Sequence, residues 1–176
     1  MNKGILLVLS GYLMWGAFPL YWALLNHVNP SEVLVHRILW SVPVLFILVY
    51  FKPSWLANFK SSISSKKELL FLFLTAILIT INWGAYILSV NLERVVEASM
   101  GYFLSPVISM LGGYIFFHER ISKLKQWAVF FATIGALYYV VSGDSFPWLG
   151  LLIGLTFSSY GIARKAMVTS AVPGLY

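Results

Sequence analysis

The sequence contains no cysteine, and only 10% of its 176 residues are charged. Without cysteine the chain has no disulfide, no thiol nucleophile and no thiolate metal site. The scarcity of charge is equally informative, because a soluble domain carries about 25% charged residues. With 60% hydrophobic residues and a mean hydropathy of +0.83, a water-soluble protein of this length could not bury enough apolar surface. The composition therefore indicates a membrane protein.

Motifs of catalysis and cofactor binding are also missing. The sequence has no Gly-rich phosphate loop, no HExxH motif and no local signature of a Ser-His-Asp site. His27, His36 and His118 are far apart, and their spacing does not suggest a metal site. We therefore predict that the chain is not an enzyme and that it uses no cofactor and no metal.

What the sequence does contain is a series of apolar segments of 18 to 22 residues, bounded by polar breaks. A helix of about 20 apolar residues crosses the hydrocarbon core of a bilayer. No segment has the alternating pattern of an outer-membrane strand. The sequence predicts an all-α membrane protein with six transmembrane spans: Gly4–Leu25, Val33–Tyr50, Leu69–Val90, Ala98–Phe117, Leu124–Val141 and Phe146–Ala163.

The basic residues predict the orientation of these spans, since cytoplasmic loops are enriched in Lys and Arg. With the N-terminus in the cytoplasm, ten basic residues fall on the inner side and only Arg37 and Arg94 on the outer side. This distribution explains the net charge of +6 without nucleic acid as a partner. The lysine-rich loop between spans two and three is expected to touch anionic headgroups of the lipid bilayer.

Four spans carry small residues at four-residue steps, which allow helices in lipid to approach closely. We expect these stripes to form helix interfaces, although small residues are common in membrane helices in any case. The stripes are Ala76, Thr80 and Gly84; Gly101, Ser105, Ser109 and Gly113; Ala128, Ala132 and Ala136; and Gly150, Gly154 and Ser158.

Polar and aromatic residues inside spans are candidates for a binding site, because buried polarity is costly in a membrane. Tyr12, Trp15, Gly16 and Pro19 share one face of span one, which either lines a cavity or packs in the core. The complete predicted substrate-binding set is Tyr12, Trp15, His36, Arg37, Trp40, Asn82, Tyr86, Tyr102 and Pro106.

Several of these positions have two interpretations. Arg37 either contacts an anion or carboxylate in the cavity, or extends outward or pairs with Glu97. Asn82 either bridges helices or binds substrate. Glu97 is explained by the dipole of the helix that it opens, and Glu119 by an ion pair with Lys123 four residues later.

An internal similarity appears when the chain is shifted by 145 residues, which aligns "LLVLSGYLMWG" with "LLIGLTFSSYG" and Tyr12 with Phe157. Because five spans separate the two copies, the second enters the membrane from the opposite side. This is the pattern of an inverted repeat. We predict a first five-helix repeat over residues 1–143 and the start of a second over residues 144–176.

The motifs "WGAFPLYW", "HRILWS", "NWGAYILSVN", "EASMGYFLSP" and "HER" followed by "QWA" closely resemble the RarD-type permeases of the EamA group in the drug/metabolite transporter superfamily. The resemblance covers essentially the whole chain, and "EASMGYFLSP" is its most specific part. It implies a ten-helix permease of the inner membrane, built from two inverted five-helix repeats, with a small molecule as substrate and both termini in the cytoplasm.

The resemblance also implies four further helices after residue 176. We therefore expect a truncated form of a transporter, completed by a second copy or by a C-terminal half. The alternative is a non-transporting fragment or assembly partner.

Overall fold

The computed structural model describes residues 3–51, 65–143 and 145–167, and this part of the chain is all helical. The helices coincide with the six predicted apolar segments to within a few residues at each end, so the predicted fold class is confirmed. They are α1 (Lys3–Ala23), α2 (Pro30–Phe51), α3 (Lys66–Asn91), α4 (Val95–Phe117), α5 (Lys123–Ser142) and α6 (Trp148–Lys165).

Five helices, α1 to α5, are long and apolar enough to cross a membrane. The sixth, α6, has 18 residues and ends with Arg164 and Lys165, and it is less apolar than the others. Its position explains this difference: α6 packs against both α3 and α4 and is the most enclosed helix of the bundle. A helix covered by protein can carry small and hydroxyl residues where a lipid-facing helix carries leucine.

The closest helix contact is between α4 and α6, which run in parallel. A β-carbon added to Gly101 would overlap the carbonyl oxygen of Gly150, and one added to Gly154 would lie 2.9 Å from the carbonyl oxygen of Gly101. Further along, the Ser158 hydroxyl donates a hydrogen bond to the Ser105 carbonyl at 3.0 Å. The predicted stripes of these two spans therefore face each other, which confirms that part of the prediction.

The other two stripes form interfaces only in part. On α3, the added β-carbon of Gly84 would lie 3.1 Å from the Leu34 side chain of α2, whereas Ala76 is exposed. On α5, Ala132 is buried but Ala128 is exposed. The prediction was therefore wrong at Ala76 and Ala128, which face away from neighbouring helices.

Glu97 fixes the N-terminus of α6. Its buried carboxylate accepts hydrogen bonds through Oε1 from the backbone N–H groups of Leu149 (2.7 Å) and Gly150 (3.2 Å). The other oxygen, Oε2, lies 2.6 Å from Nε of Arg94. These amides belong to the first turn of α6, where no helical acceptor exists. Glu97 therefore caps a second helix as well as opening its own, and the alternative of an Arg37–Glu97 pair was wrong.

At the opposite end, α4 and α6 are joined by an ion pair between Glu119 and Lys165. The predicted partner of Glu119, Lys123, was wrong, because the chain turns sharply at His118, whose φ is 52°. The hydrogen bond and the charge of Lys165 lower the pKa of Glu119. Both ends of the α4–α6 pair are thus held by a carboxylate.

Two predictions fall outside the described residues. The lysine-rich loop expected to touch headgroups lies largely within residues 52–64, and the last residues of the predicted second repeat lie within residues 168–176.

Candidate functional site

A cavity of about 510 Å³ lies between α1, α3, α4 and α6, and we call it the aromatic cavity. Its walls combine aromatic rings with serine hydroxyls. Tyr102 lies at its centre, with ring centroids 5.8 Å from Trp15, 5.8 Å from Tyr86 and 5.4 Å from Phe157. The lining residues are Tyr12, Trp15, Gly16, Pro19, Tyr86, Ser99, Tyr102, Ser105, Pro106, Ser109 and Phe157.

One face of α1 supplies one wall of this cavity. Tyr12, Trp15, Gly16 and Pro19 all line it, so the cavity-lining interpretation of that face is the one that the structure shows. Phe157 lines the opposite side and was absent from the predicted set. Its signal was present in the sequence, because the internal similarity aligns Phe157 with Tyr12.

The packing of α4 explains why Tyr102 reaches the cavity. Gly101 and Ser105 bring α4 against the backbone of α6. Tyr102 is the next residue after Gly101, and successive helical side chains point about 100° apart. Pro106, one turn later, also lines the cavity, and α4 continues through it as one helix. The close packing of Gly101 against α6 therefore turns the neighbouring side chain of Tyr102 into the aromatic cavity.

Asn82 is fully buried beside the cavity and connects three helices. Its Nδ2 donates to the Ile153 carbonyl at 2.9 Å and lies 3.2 Å from the Thr156 hydroxyl, both on α6. Its Oδ1 accepts from the Tyr102 hydroxyl of α4 at 2.9 Å. The structure therefore shows the helix-bridging arrangement, in which Asn82 orients the central tyrosine of the cavity.

A second cleft, of about 490 Å³, lies between the end of α1 and the start of α2, and we call it the outer groove after the predicted orientation of the spans. It brings together three other predicted site residues, His36, Arg37 and Trp40. His36 Nε2 lies 4.0 Å from Oε1 of Glu32, and both side chains are exposed. The nine predicted residues are therefore divided: five line the aromatic cavity, three line the outer groove, and Asn82 lies buried beside the cavity.

Arg37 lines the outer groove and packs against two tryptophan rings. Its guanidinium carbon is 3.9 Å from the ring centroid of Trp83 and 5.5 Å from that of Trp22.

Long apolar helices that enclose a cavity lined by aromatic rings and serine hydroxyls define a multi-pass α-helical membrane protein. Residues 2–141 match the EamA-like transporter family, and the chain belongs to that family. No solved structure shows a significant match.

Curated relatives extend the comparison over nearly the whole chain. The uncharacterized transporter YojE of Bacillus subtilis is 37% identical over 176 residues, which is 99% of this chain and 59% of the relative. Protein RarD of Escherichia coli is 33% identical over 174 residues, which is 99% of this chain and 58% of the relative. The chloramphenicol-sensitive protein RarD of Pseudomonas aeruginosa is 31% identical, with 98% and 59% covered. The chain spans about three-fifths of the length of these relatives.

Proposed function

We propose that this chain contributes the substrate cavity of a small-molecule permease in the cell inner membrane, with its N-terminus in the cytoplasm. The observation that carries the proposal is the aromatic cavity, in which rings and serine hydroxyls meet inside a bundle of apolar helices. Its volume of about 510 Å³ falls in the range of small-molecule sites. Membership of the EamA-like transporter family supports the same function.

We expect transport to use movement of a loosely packed helix, α1, against a firmly joined pair, α4 and α6. The α4–α6 contact is held at one end by Glu97 and at the other by the Glu119–Lys165 pair, so these helices are expected to move as one body. By contrast, α1 exposes much of its apolar surface and contributes Tyr12 and Trp15 to the cavity wall. Movement of α1 relative to the α4–α6 body would open the cavity to one side of the membrane at a time, as alternating access requires.

A transport assay tests this proposal. The chain would be joined to the remaining two-fifths of YojE and reconstituted in liposomes, and movement of a panel of labelled small molecules would be measured. Radiolabelled chloramphenicol belongs in the panel because the Pseudomonas relative is named for chloramphenicol sensitivity. Tyr102→Ala should fold but reduce transport about tenfold or more, because removing the central ring takes away stacking and a positioned hydroxyl. Transport that Tyr102→Ala leaves unchanged would count against the cavity as the substrate site.

A second candidate function is that of an assembly partner without transport activity of its own. It is favoured by the exposed apolar faces of α1, α2 and α5, which a second copy or the rest of a longer transporter would cover. Comparing the 176-residue chain with the YojE fusion in the same liposomes distinguishes the permease function from the assembly-partner function. Equal transport by both would show that the chain needs no further helices.

A further inference from the structure

Arg37 lines the outer groove and forms no ion pair with any carboxylate in the described part of the chain. From this arrangement we infer that Arg37 binds the negatively charged group of the transported molecule, and that this molecule is an organic anion, a carboxylic acid with an apolar body. The inference rests on the proposed function and adds the chemical class of the substrate.

In the described part of the chain, neither Glu97 nor Glu32 is paired with Arg37. Glu97 is used by Arg94 and by the first turn of α6, and Glu32 lies beside His36 with its side chain 62% exposed. Among residues 3–51, 65–143 and 145–167, Arg37 has neither a hydrogen bond nor an ion pair, and its contacts are aromatic. A half-buried arginine in a membrane-spanning helix is costly unless another group offsets its charge. A bound anion would provide the compensating negative charge.

The aromatic contacts hold the guanidinium but leave its hydrogen-bonding capacity free. At 3.9 Å from the Trp83 centroid, the group is in contact with the ring through cation–π attraction. This attraction uses none of the five N–H donors. A guanidinium fixed in this way presents a planar pair of donors, which matches the two oxygens of a carboxylate.

Trp22 provides an independent observation. Its indole N–H is buried and has no hydrogen-bond acceptor in the described part of the chain, while its ring lies 5.5 Å from Arg37. Buried donors in native proteins nearly always have a partner. Trp22 also lines the outer groove, so an unpartnered donor and an unpaired cation belong to the same wall of the groove.

The remaining surroundings indicate the shape of the ligand. The outer groove measures about 490 Å³ and is lined mainly by apolar and aromatic side chains, among them Tyr21, Leu25 and Trp40. An inorganic anion would not cover that apolar surface, whereas a carboxylic acid with an aromatic or aliphatic body would.

A phospholipid headgroup offers the same chemistry through its phosphate, so the experiment must distinguish the two sources. The chain would be placed in nanodiscs of phosphatidylcholine alone, and in nanodiscs that contain phosphatidylglycerol. Binding of benzoate would be measured by calorimetry, with benzamide as a neutral molecule of nearly the same shape. Arg37→Gln and Arg37→Lys would be compared with Arg120→Gln, which removes one positive charge from an exposed position outside the groove.

We expect benzoate to bind about tenfold more tightly than benzamide, since only the carboxylate forms charge-assisted hydrogen bonds with the guanidinium. Arg37→Gln should abolish that preference, Arg37→Lys should retain part of it, and Arg120→Gln should leave it unchanged. Equal binding of the two molecules, or a preference that survives Arg37→Gln, would overturn the inference. A benzoate preference that phosphatidylglycerol removes would overturn it in favour of a lipid phosphate.

This binding experiment is separate from the transport assay. Transport of neutral molecules without any preference for benzoate would refute the organic-anion class and leave the permease intact. Helical circular dichroism and a single gel-filtration peak for Arg37→Gln would exclude misfolding as the cause of lost binding. If Arg37→Gln does not fold, the comparison of Arg37→Lys with Arg120→Gln still decides the question, because lysine keeps the charge but loses the paired donors.

Discussion

Replacing Gly101 with alanine is expected to force α4 and α6 apart. The added methyl group would overlap the carbonyl oxygen of Gly150 and lie 3.0 Å from its carbonyl carbon and 3.1 Å from its α-carbon. All three atoms belong to backbone, so no side-chain rotation can relieve the overlap. The helices themselves must separate.

The loss in free energy of unfolding can be estimated from the contacts that this separation disturbs. Overpacking of a tight contact costs about 1–3 kcal/mol, and a rigid backbone neighbour places this site near the upper end. The same movement stretches the hydrogen bonds from Leu149 and Gly150 to Glu97, now 2.7 and 3.2 Å long, and each is worth about 1 kcal/mol or more. We expect Gly101→Ala to lower the free energy of unfolding by about 3 kcal/mol.

Unfolding by sodium dodecyl sulfate in mixed micelles, followed by tryptophan fluorescence, would measure this difference. Gly161→Ala is the matched control, because Gly161 lies on α6 with no heavy atom within 4 Å of its added β-carbon. Alanine favours a helix over glycine by about 1 kcal/mol, so the control should be neutral or slightly more stable. Equal stability of the two variants would refute the assignment of Gly101 to the α4–α6 contact.

Three other predictions concern charged groups. Glu97→Gln should lower the free energy of unfolding by about 2 kcal/mol, because the buried carboxylate binds both Arg94 and the first turn of α6. A free energy of unfolding equal to that of the parent would contradict its capping role. Because Lys165 lowers the folded-state pKa of Glu119, the pair should stabilise the fold above the ordinary glutamate pKa and lose this contribution as pH falls through the lowered value. A pH titration of stability in Glu119→Gln should lack that component, and an unchanged profile would show that the pair contributes nothing. Cysteine at position 93, in place of Glu93, should react with an impermeant thiol reagent in intact cells, whereas cysteine in place of Lys123 should not; the reverse pattern would invert the proposed orientation.

The sequence alone was sufficient for the helices and the family. Apolar runs of about 20 residues predict helices regardless of their neighbours, because a helix satisfies its backbone hydrogen bonds internally. Helical periodicity alone also places Tyr12 and Trp15 on one face of α1, but whether that face lines a cavity or packs in the core was left open until the structure showed it lining the cavity. The small residues of α4 and α6 likewise indicated interfaces before any partner was known.

Other features depend on which helices become neighbours, and no local pattern contains that information. Glu97 lies in the first turn of α4 and has the sequence context of a helix-dipole acid, yet its carboxylate caps α6, which starts about fifty residues later. Glu119 has a lysine four residues away, yet it pairs with Lys165 because α4 and α6 end on the same side of the bundle. Arg37 could have paired with an acid or remained without one, and the tertiary structure placed tryptophan rings around it instead. Contacts within a helix follow from its fixed geometry, whereas contacts between helices follow from packing, which only the folded chain determines.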